Sequence, residues 1–527
     1  MKKITICMLG LVAALSPLVF AGKTAQPNII YILADDLGYG DLSHAGGKVP
    51  TPHCDRLAAE GMRFTDAHSS SSVCTPTRYG ILTGRYNWRS RMKQGVLNGY
   101  SAPLIPQSRV TVANFLRDQG YHTGMVGKWH LGIGWQKLPH GEVRSPVQSL
   151  VDPAKRGKRG SGGWNIDYSQ PAITPVHNGF DSFFGIAASL DIPPYVYIED
   201  ERAVALAEVE KAFATPHRPG PAGADFEANR CLRDFARESR AYIAEQAQDA
   251  AAPFFLYLSL TSPHTPIVPA ERWIGKSGFG AYGDFLMETD WVVGEVLAEL
   301  EAQGIAGNTL VVFTADNGCS PAAGIPSLVK QGHQPNAGWR GHKADIFEGG
   351  HRVPFLVRWP ERVKAGSVSD SVICLTDFFA TAADVVGAAR SVTDTMAEDS
   401  VSFFADLSGT GQTARATTIH HSVNGSFAIR QGKWKLNLCP GSGGWSLPRP
   451  GKETEGLPLV QLYNLEADPA EMNNLQAQYP EVVGILVDQL AKEIKAGRST
   501  PGRPQANEGV IPFSAELLAA YPQLRQN

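Results

Sequence analysis

The clearest pattern along the chain is a short, unbroken apolar run that stops at a polar loop, and it occurs three times. Asn28 to Ala34 is β-rich and apolar and ends in Asp35-Asp36-Leu37-Gly38-Tyr39-Gly40-Asp41. Phe254 to Leu260 runs into Thr261-Ser262-Pro263-His264, and Thr309 to Thr314 into Ala315-Asp316-Asn317-Gly318. Runs of this length without polar alternation predict strands buried on both faces. Between them the period becomes helical, at Thr111 to Asp118 and over the longer amphipathic stretch from about Tyr282 to Gln303. Alternating strand and helix predicts an α/β fold with a large, mostly parallel sheet sandwiched by helices. Such sheets carry their chemistry in loops beyond the carboxyl ends of the strands, so three polar loops are expected to converge on one site.

After about Gly411 the pattern changes. Thr417 to His421, Ser426 to Arg430 and Trp434 to Leu438 are short alternating runs joined by Val423-Asn424-Gly425 and Gln431-Gly432-Lys433, the signature of an antiparallel meander. A fourth strand is expected at Leu459 to Tyr463 and a helix from about Glu481 to Lys495. The reading is a large domain over 22–410 and a smaller α+β domain built on an antiparallel sheet over 411–527. The stretch from about Gly141 to Val176 is rich in Pro, Gly, Ser and basic residues, and its run Lys155-Arg156-Gly157-Lys158-Arg159-Gly160 reads as a solvated insertion. His420-His421 is no metal pair, because neighbours on a strand point to opposite faces.

At the start, Lys2 and Lys3 precede an apolar run from Ile4 to Phe20, and Val19-Phe20-Ala21 offers a cleavage point. This reads as a signal peptide over 1–21, with export to the periplasm or medium and no stable membrane insertion of the mature chain. Lys+Arg 48 against Asp+Glu 51 gives a net charge of −3, which disfavours a nucleic-acid binder. With 43% hydrophobic and 19% charged residues the chain is globular, not disordered. Beyond Cys7 there are six cysteines, Cys54, Cys74, Cys231, Cys319, Cys374 and Cys439. They are too few for a disulfide scaffold and lack zinc spacing, so most read as small buried hydrophobes with room for one or two bridges.

Cys74 stands apart. Ser71-Ser72-Val73-Cys74-Thr75-Pro76-Thr77-Arg78 continues into Leu82-Thr83-Gly84-Arg85, and this Cys-x-Pro-x-Arg stretch resembles the signature of the formylglycine-dependent sulfatases, in particular arylsulfatase A-like bacterial carbohydrate sulfatases of the alkaline phosphatase superfamily. The resemblance implies an alkaline phosphatase-like sheet and oxidation of Cys74 to Cα-formylglycine by a maturation enzyme, a transient partner. It implies that Asp35, Asp36, Asp316 and Asn317, with the residue at Cys74, hold a metal, and four hard oxygen ligands of this kind suit calcium. Arg78 is expected to hold the formylglycine hydroxyl and neighbouring carboxylates.

The remaining machinery follows from the same resemblance. Gly127-Lys128-Trp129-His130-Leu131-Gly132 matches a family element in which Lys128 binds a sulfate oxygen and His130 helps deprotonate the diol; on a strand, residues two apart share a face. His264 matches the proposed acid for the leaving alcohol, and Lys343, in Arg340-Gly341-His342-Lys343, the second sulfate-binding lysine. A phosphonate or phosphate ester hydrolase of the same superfamily is the strongest rival, and a non-catalytic sulfated-glycan-binding protein the other. Asn317 argues against the first, since an oxygen ligand there suits calcium over a transition metal. The expected substrate is a sulfated glycan, by exo-removal of sulfate from galactose or N-acetylgalactosamine with the 6-position first. Asp167, His177, Asp191, Tyr195, His333 and Trp339 are the candidate sugar contacts.

Overall fold

The computed structural model describes residues 26–139, 163–213, 218–249 and 251–526. The leader at 1–21 and the basic run at 155–160 lie outside them. The main sheet has ten strands: β1 (Asn28–Asp35), β2 (Met62–Phe64), β3 (His122–Lys128), β4 (Ser182–Ile186), β5 (Ile198–Glu199), β6 (Arg202–Ala203), β7 (Phe254–Pro263), β8 (Thr309–Ala315), β9 (Phe355–Arg358) and β10 (Ser367–Ser369). Their order is β10-β2-β9-β8-β1-β7-β3-β4-β5-β6. The central five, β8-β1-β7-β3-β4, are mutually parallel; β9 on one side and β5 on the other run antiparallel to them, and β6, antiparallel to β5, returns to the central direction.

The central strands are apolar throughout because both faces are covered. On β1, Tyr31 packs its ring 4.5 Å from Phe378 on one face. On the other face Gly124 of β3 lies against Tyr242, so closely that a Cβ there meets the tyrosine ring at 2.5 Å. Tyr242 belongs to helix α3 (Cys231–Gln246), which packs beside α4 (Gly280–Ala302). The buried strand residues, among them Ile29, Ile30, Ile32 and Leu33, form one continuous core with these helices. Stacking parallel strands in register brings the carboxyl ends of β1, β3, β7 and β8 to one edge.

The C-terminal part is a four-stranded antiparallel meander of β11 (Thr418–His421), β12 (Phe427–Gln431), β13 (Trp434–Asn437) and β14 (Gln461–Asn464), packed by α5 (Pro480–Ala496). Its apolar core includes Tyr86 and Trp88 from the N-terminal part of the chain. The seam between the sheets is a buried polar network. Lys435 Nζ lies 3.0 Å from Glu348, 2.9 Å from Glu471 and donates to His351 Nε2 at 3.0 Å. His351 Nδ1 and His68 Nδ1 are 3.1 Å apart, and His68 Nε2 donates to Asp66 at 2.7 Å. This order of donors needs only neutral imidazoles, which burial enforces. His420 stacks on His351 with ring centroids 4.0 Å apart, whereas His421 turns to Ser422 and Ser71. The three clustered imidazoles are close enough to share an ion, but the Lys435 ammonium occupies the lone pair of His351, so a hydrogen-bonded seam accounts for them. All six described cysteines are buried and free, against the expectation of one or two bridges. Among the described residues no helix is long and apolar enough to cross a membrane.

Candidate active site

Cys74 opens helix α2 (Cys74–Thr83), which follows α1 (Pro52–Glu60) and whose residues are all buried. Its N-cap is Val73, in extended conformation and without a side-chain acceptor, so the helix start offers its backbone N–H groups toward the space beside Cys74. The helix stops at Gly84, which takes a left-handed φ of 61° and caps Gly80. Arg78 stands one turn after Cys74 and therefore on the same face.

From that position the guanidinium ties the strand ends together. Nε and Nη2 donate to Asp316 Oδ2 at 3.0 and 2.7 Å, Nη1 donates to the Lys128 carbonyl at 3.2 Å, and Ser259 of β7 accepts a further short bond. Asp35 Oδ1 lies 3.5 Å away. Lys128 Nζ reaches Asp35 Oδ2 at 2.6 Å, and Lys343 Nζ reaches Asp36 Oδ2 at 2.7 Å. His264 Nε2 is 3.5 Å from the same Asp36 oxygen. Asn317 donates to Asp36 Oδ1 at 2.8 Å. The sequence readings for Cys74, Arg78, Lys128, His130, His264, Lys343 and the four oxygen-bearing residues thus meet in one place.

Backbone conformation sets several of these directions. Asp36, His130 and Ala344 have φ of 64°, 57° and 81°, a left-handed region that non-glycine residues rarely occupy. Ala344 is fixed there by donating to Ser72 O at 2.8 Å and accepting from Val423, which turns neighbouring Lys343 inward. Strand β3 ends at Lys128, so His130 joins the site through a left-handed turn and not by the strand alternation expected from sequence.

The electrostatics are those of a dry anion site. Asp35 is buried, yet Lys128, His264, Arg78 and Lys343 hold its carboxyl well below the usual range. Burial and the adjacent Asp35 charge push Asp316 up to about 6. Burial drives the Cys74 thiol up to about 11, against the pull of both lysines. His130 is forced well below the normal histidine value by burial, then by Lys128 and Arg78. Its Nε2 lies 2.8 Å from the Leu97 carbonyl, which fixes that nitrogen as the donor and leaves Nδ1 without a partner.

Two buried oxygens, Asp35 Oδ1 and Asn317 Oδ1, accept no hydrogen bond. With Asp36 and Asp316 they form a compact, purely oxygen donor set, which fits a hard divalent cation. Buried acceptors left without a hydrogen are costly otherwise.

The residues open onto a cavity of about 600 Å³, lined among others by Cys74, His130, His264, Lys343, Asp191 and Arg218. Asp191 is the one sugar-contact candidate on its lining. Tyr195 lies behind the wall, where its hydroxyl donates to the Arg218 carbonyl at 2.8 Å. His333 donates to Asp41 at 2.8 Å and accepts from Lys48 N–H, bracing the loop after β1 from below. Trp339 packs on Tyr39 and under Arg352, away from the cavity. Asp167 caps a turn at Ser169, and His177 caps the turn begun by Thr174 and pairs with Glu201 at 3.5 Å. These five occupy positions that the fold turns from the cavity, a long-range outcome that loop composition does not encode. Sequence reading missed Ser259, which accepts from Arg78, and Asn98, Arg218 and Trp445, which line the cavity. Of these only Ser259 carried a signal, a serine inside the apolar run Phe254 to Leu260.

A sheet edge bearing a helix-start cysteine, two lysines, an arginine and four oxygen ligands defines a hydrolase site for a tetrahedral oxyanion ester. The chain belongs to the sulfatase family: the Sulfatase profile matches residues 27–388. It is 33% identical over 516 residues to an N-acetylgalactosamine-6-O-sulfatase of Bacteroides thetaiotaomicron, covering 89% of this chain and 93% of that protein. Human arylsulfatase A is 33% identical over 528 residues, covering 92% and 91%. A solved structure from work on glycosaminoglycan metabolism by Bacteroides thetaiotaomicron matches with a TM-score of 0.74 at 32% identity, over 89% of this chain and 99% of that one. The protein is therefore a sulfuric ester hydrolase by family, on a sulfatase-like fold.

Proposed function

We propose that this chain is an exported, calcium- and formylglycine-dependent carbohydrate sulfatase that removes a 6-O-sulfate from a terminal galactose or N-acetylgalactosamine of a sulfated glycan. The observation that carries the reading is the convergence of Lys128, Lys343 and Arg78 about Cys74, where Cys74 and Lys343 line a sugar-sized cavity. The similarity to a protein named N-acetylgalactosamine-6-O-sulfatase supports the choice of sugar and position. The basic, apolar leader at Lys2 to Ala21 supports export.

In this reading Lys128 and Lys343 neutralise two sulfate oxygens, and low local dielectric strengthens both contacts. Arg78 orients the group at position 74. Asp35, Asp36, Asp316 and Asn317 would hold calcium, which when bound would draw charge from the sulfate oxygens. Formylglycine, formed from Cys74 and hydrated, would supply one hydroxyl to attack sulfur and a second whose loss of a proton would break the carbon–oxygen bond to sulfate and restore the aldehyde. His130, neutral and with Nδ1 free, is disposed to take that proton. His264 protonates the departing alcohol, which an unactivated sugar alkoxide requires.

The test is sulfate release, followed by ion chromatography, from a panel of defined sulfated mono- and disaccharides, with conversion of Cys74 verified by peptide mass. Release from 6-sulfated galactose or N-acetylgalactosamine is expected. Silence on the whole panel by fully converted protein, with turnover of a phosphonate monoester, overturns the reading.

A further inference from the structure

The cavity that Cys74 and Lys343 line also carries an arginine that the chemistry described above does not use. Arg218 lines the wall, and its side chain keeps 36% of its surface exposed. It is held at both ends. The guanidinium Nη1 lies 3.0 Å from Asp191 Oδ2, and the backbone carbonyl accepts the Tyr195 hydroxyl at 2.8 Å. Asp191 is itself nearly buried, with 9% of its side chain exposed, and its other oxygen accepts no hydrogen bond, so its whole output is directed at Arg218. Tyr195 is clamped in turn by its N–H to Pro221 O and by rings of Phe213 and Phe226.

A surface arginine ordinarily samples many rotamers, and fixing it costs side-chain entropy. Here the framework fixes it before any ligand arrives, which is how preorganised recognition is built. Nε and Nη2 have no partner among the described residues. Because Asp191 cancels the charge, the pair adds donors to the wall without adding net positive charge. The chemistry that suits such a group is a neutral acceptor, as a sugar hydroxyl oxygen is, more than a second anion.

We propose that Arg218 is a specificity-determining residue that donates to ring hydroxyl oxygens of the sulfated sugar, with Asp191 and Tyr195 as positioning residues. This rests on the carbohydrate sulfatase reading above. Aryl sulfates lack these hydroxyls, so the contact separates the two substrate classes.

The experiment compares wild type, Arg218→Met and Arg218→Lys, each with Cys74 conversion verified, on galactose 6-sulfate and on 4-nitrophenyl sulfate. For Arg218→Met the ratio of kcat/KM for the sugar to that for the aryl sulfate is expected to fall at least tenfold, mainly through KM, and Arg218→Lys to recover part of it. A parallel titration of galactose 6-sulfate into unconverted protein should show the same weakening of Kd. An equal loss on both substrates assigns Arg218 a structural role and overturns the inference, as does an unchanged ratio. A wild type that cleaves only the aryl sulfate overturns the carbohydrate reading itself, a different outcome from either.

Discussion

Arg78 gives two N–H groups to a single carboxylate oxygen of Asp316, at 3.0 and 2.7 Å, across 238 residues of sequence. Both side chains are essentially without solvent contact. The pair is the pin that fixes helix α2, and hence Cys74, against the end of β8. Removing one partner of a buried ion pair leaves an uncompensated charge and costs about 3–5 kcal/mol. Arg78→Ala should therefore lower the urea midpoint as well as abolish sulfate release. Arg78→Lys keeps the charge but loses the two-point geometry, and should retain more stability than activity. A midpoint equal to wild type in Arg78→Ala contradicts the role given to the pair.

The oxygen set predicts a stability response to cation that does not depend on turnover. A ligand bound only by the folded state adds about 2.7 kcal/mol at a hundredfold excess over its Kd. Calcium added to chelator-stripped protein should raise the thermal midpoint in a saturable way. Asn317→Ala removes one of the two oxygens that accept no hydrogen bond and should shift that titration to higher calcium by tenfold or more. A midpoint insensitive to calcium in the wild type removes the support for a resident ion.

Much of this site was legible before any coordinates, for a physical reason. Parallel strands buried on both faces are apolar over their whole length, so the residues where they stop, Asp35-Asp36 and Asp316-Asn317, stand out as abrupt changes of pattern. The meander at Thr418–Asn464 was equally readable from alternation and Gly-bearing turns. What was not legible depends on contacts between distant segments. His333 reads as a sugar contact in isolation, yet the packing turns it toward Asp41, 292 residues earlier. Tyr195 reads as a sugar contact but sits one layer behind Arg218. His130 reaches the site through a left-handed φ that alternation does not anticipate.

Cys74 in its unconverted form should be chemically quiet. Burial lifts the thiol to about 11 even with two lysines nearby, so at neutral pH well under one in a hundred molecules carries a thiolate. Unconverted protein is expected to react with iodoacetamide at pH 7.5 far more slowly than free cysteine and to release no sulfate. Cys74→Ala should match the unconverted protein in thermal midpoint, because Asp35, Asp36, Asp316, Asn317 and the ion pairs around them remain, while showing no turnover after exposure to the maturation enzyme. Fast alkylation, or turnover by the alanine variant, contradicts a mechanism centred on this position.

The last prediction concerns acid. His421 is buried between Ser71 and Ser422, and burial pushes its imidazole down to about 4, whereas a histidine in the unfolded chain titrates near ~6.5. Below that pH the unfolded state binds a proton that the folded state refuses, so this contribution is fully present above ~6.5 and is lost as pH falls toward 4. A gap of this size corresponds to about 3 kcal/mol over that window. His68, His351 and His420 shift in the same direction, burial being the first cause for each. Glu288, lifted to about 7 by burial, acts oppositely, since its folded form takes up a proton before the unfolded one does. The clean measurement is thus a difference. Urea unfolding of wild type and His421→Asn at pH 7.5 and 5.0 should show the wild type losing more stability on acidification than the variant, whose amide keeps the hydrogen bond at the Nδ1 position and cannot titrate. Parallel losses in the two proteins assign the acid sensitivity to the seam histidines instead.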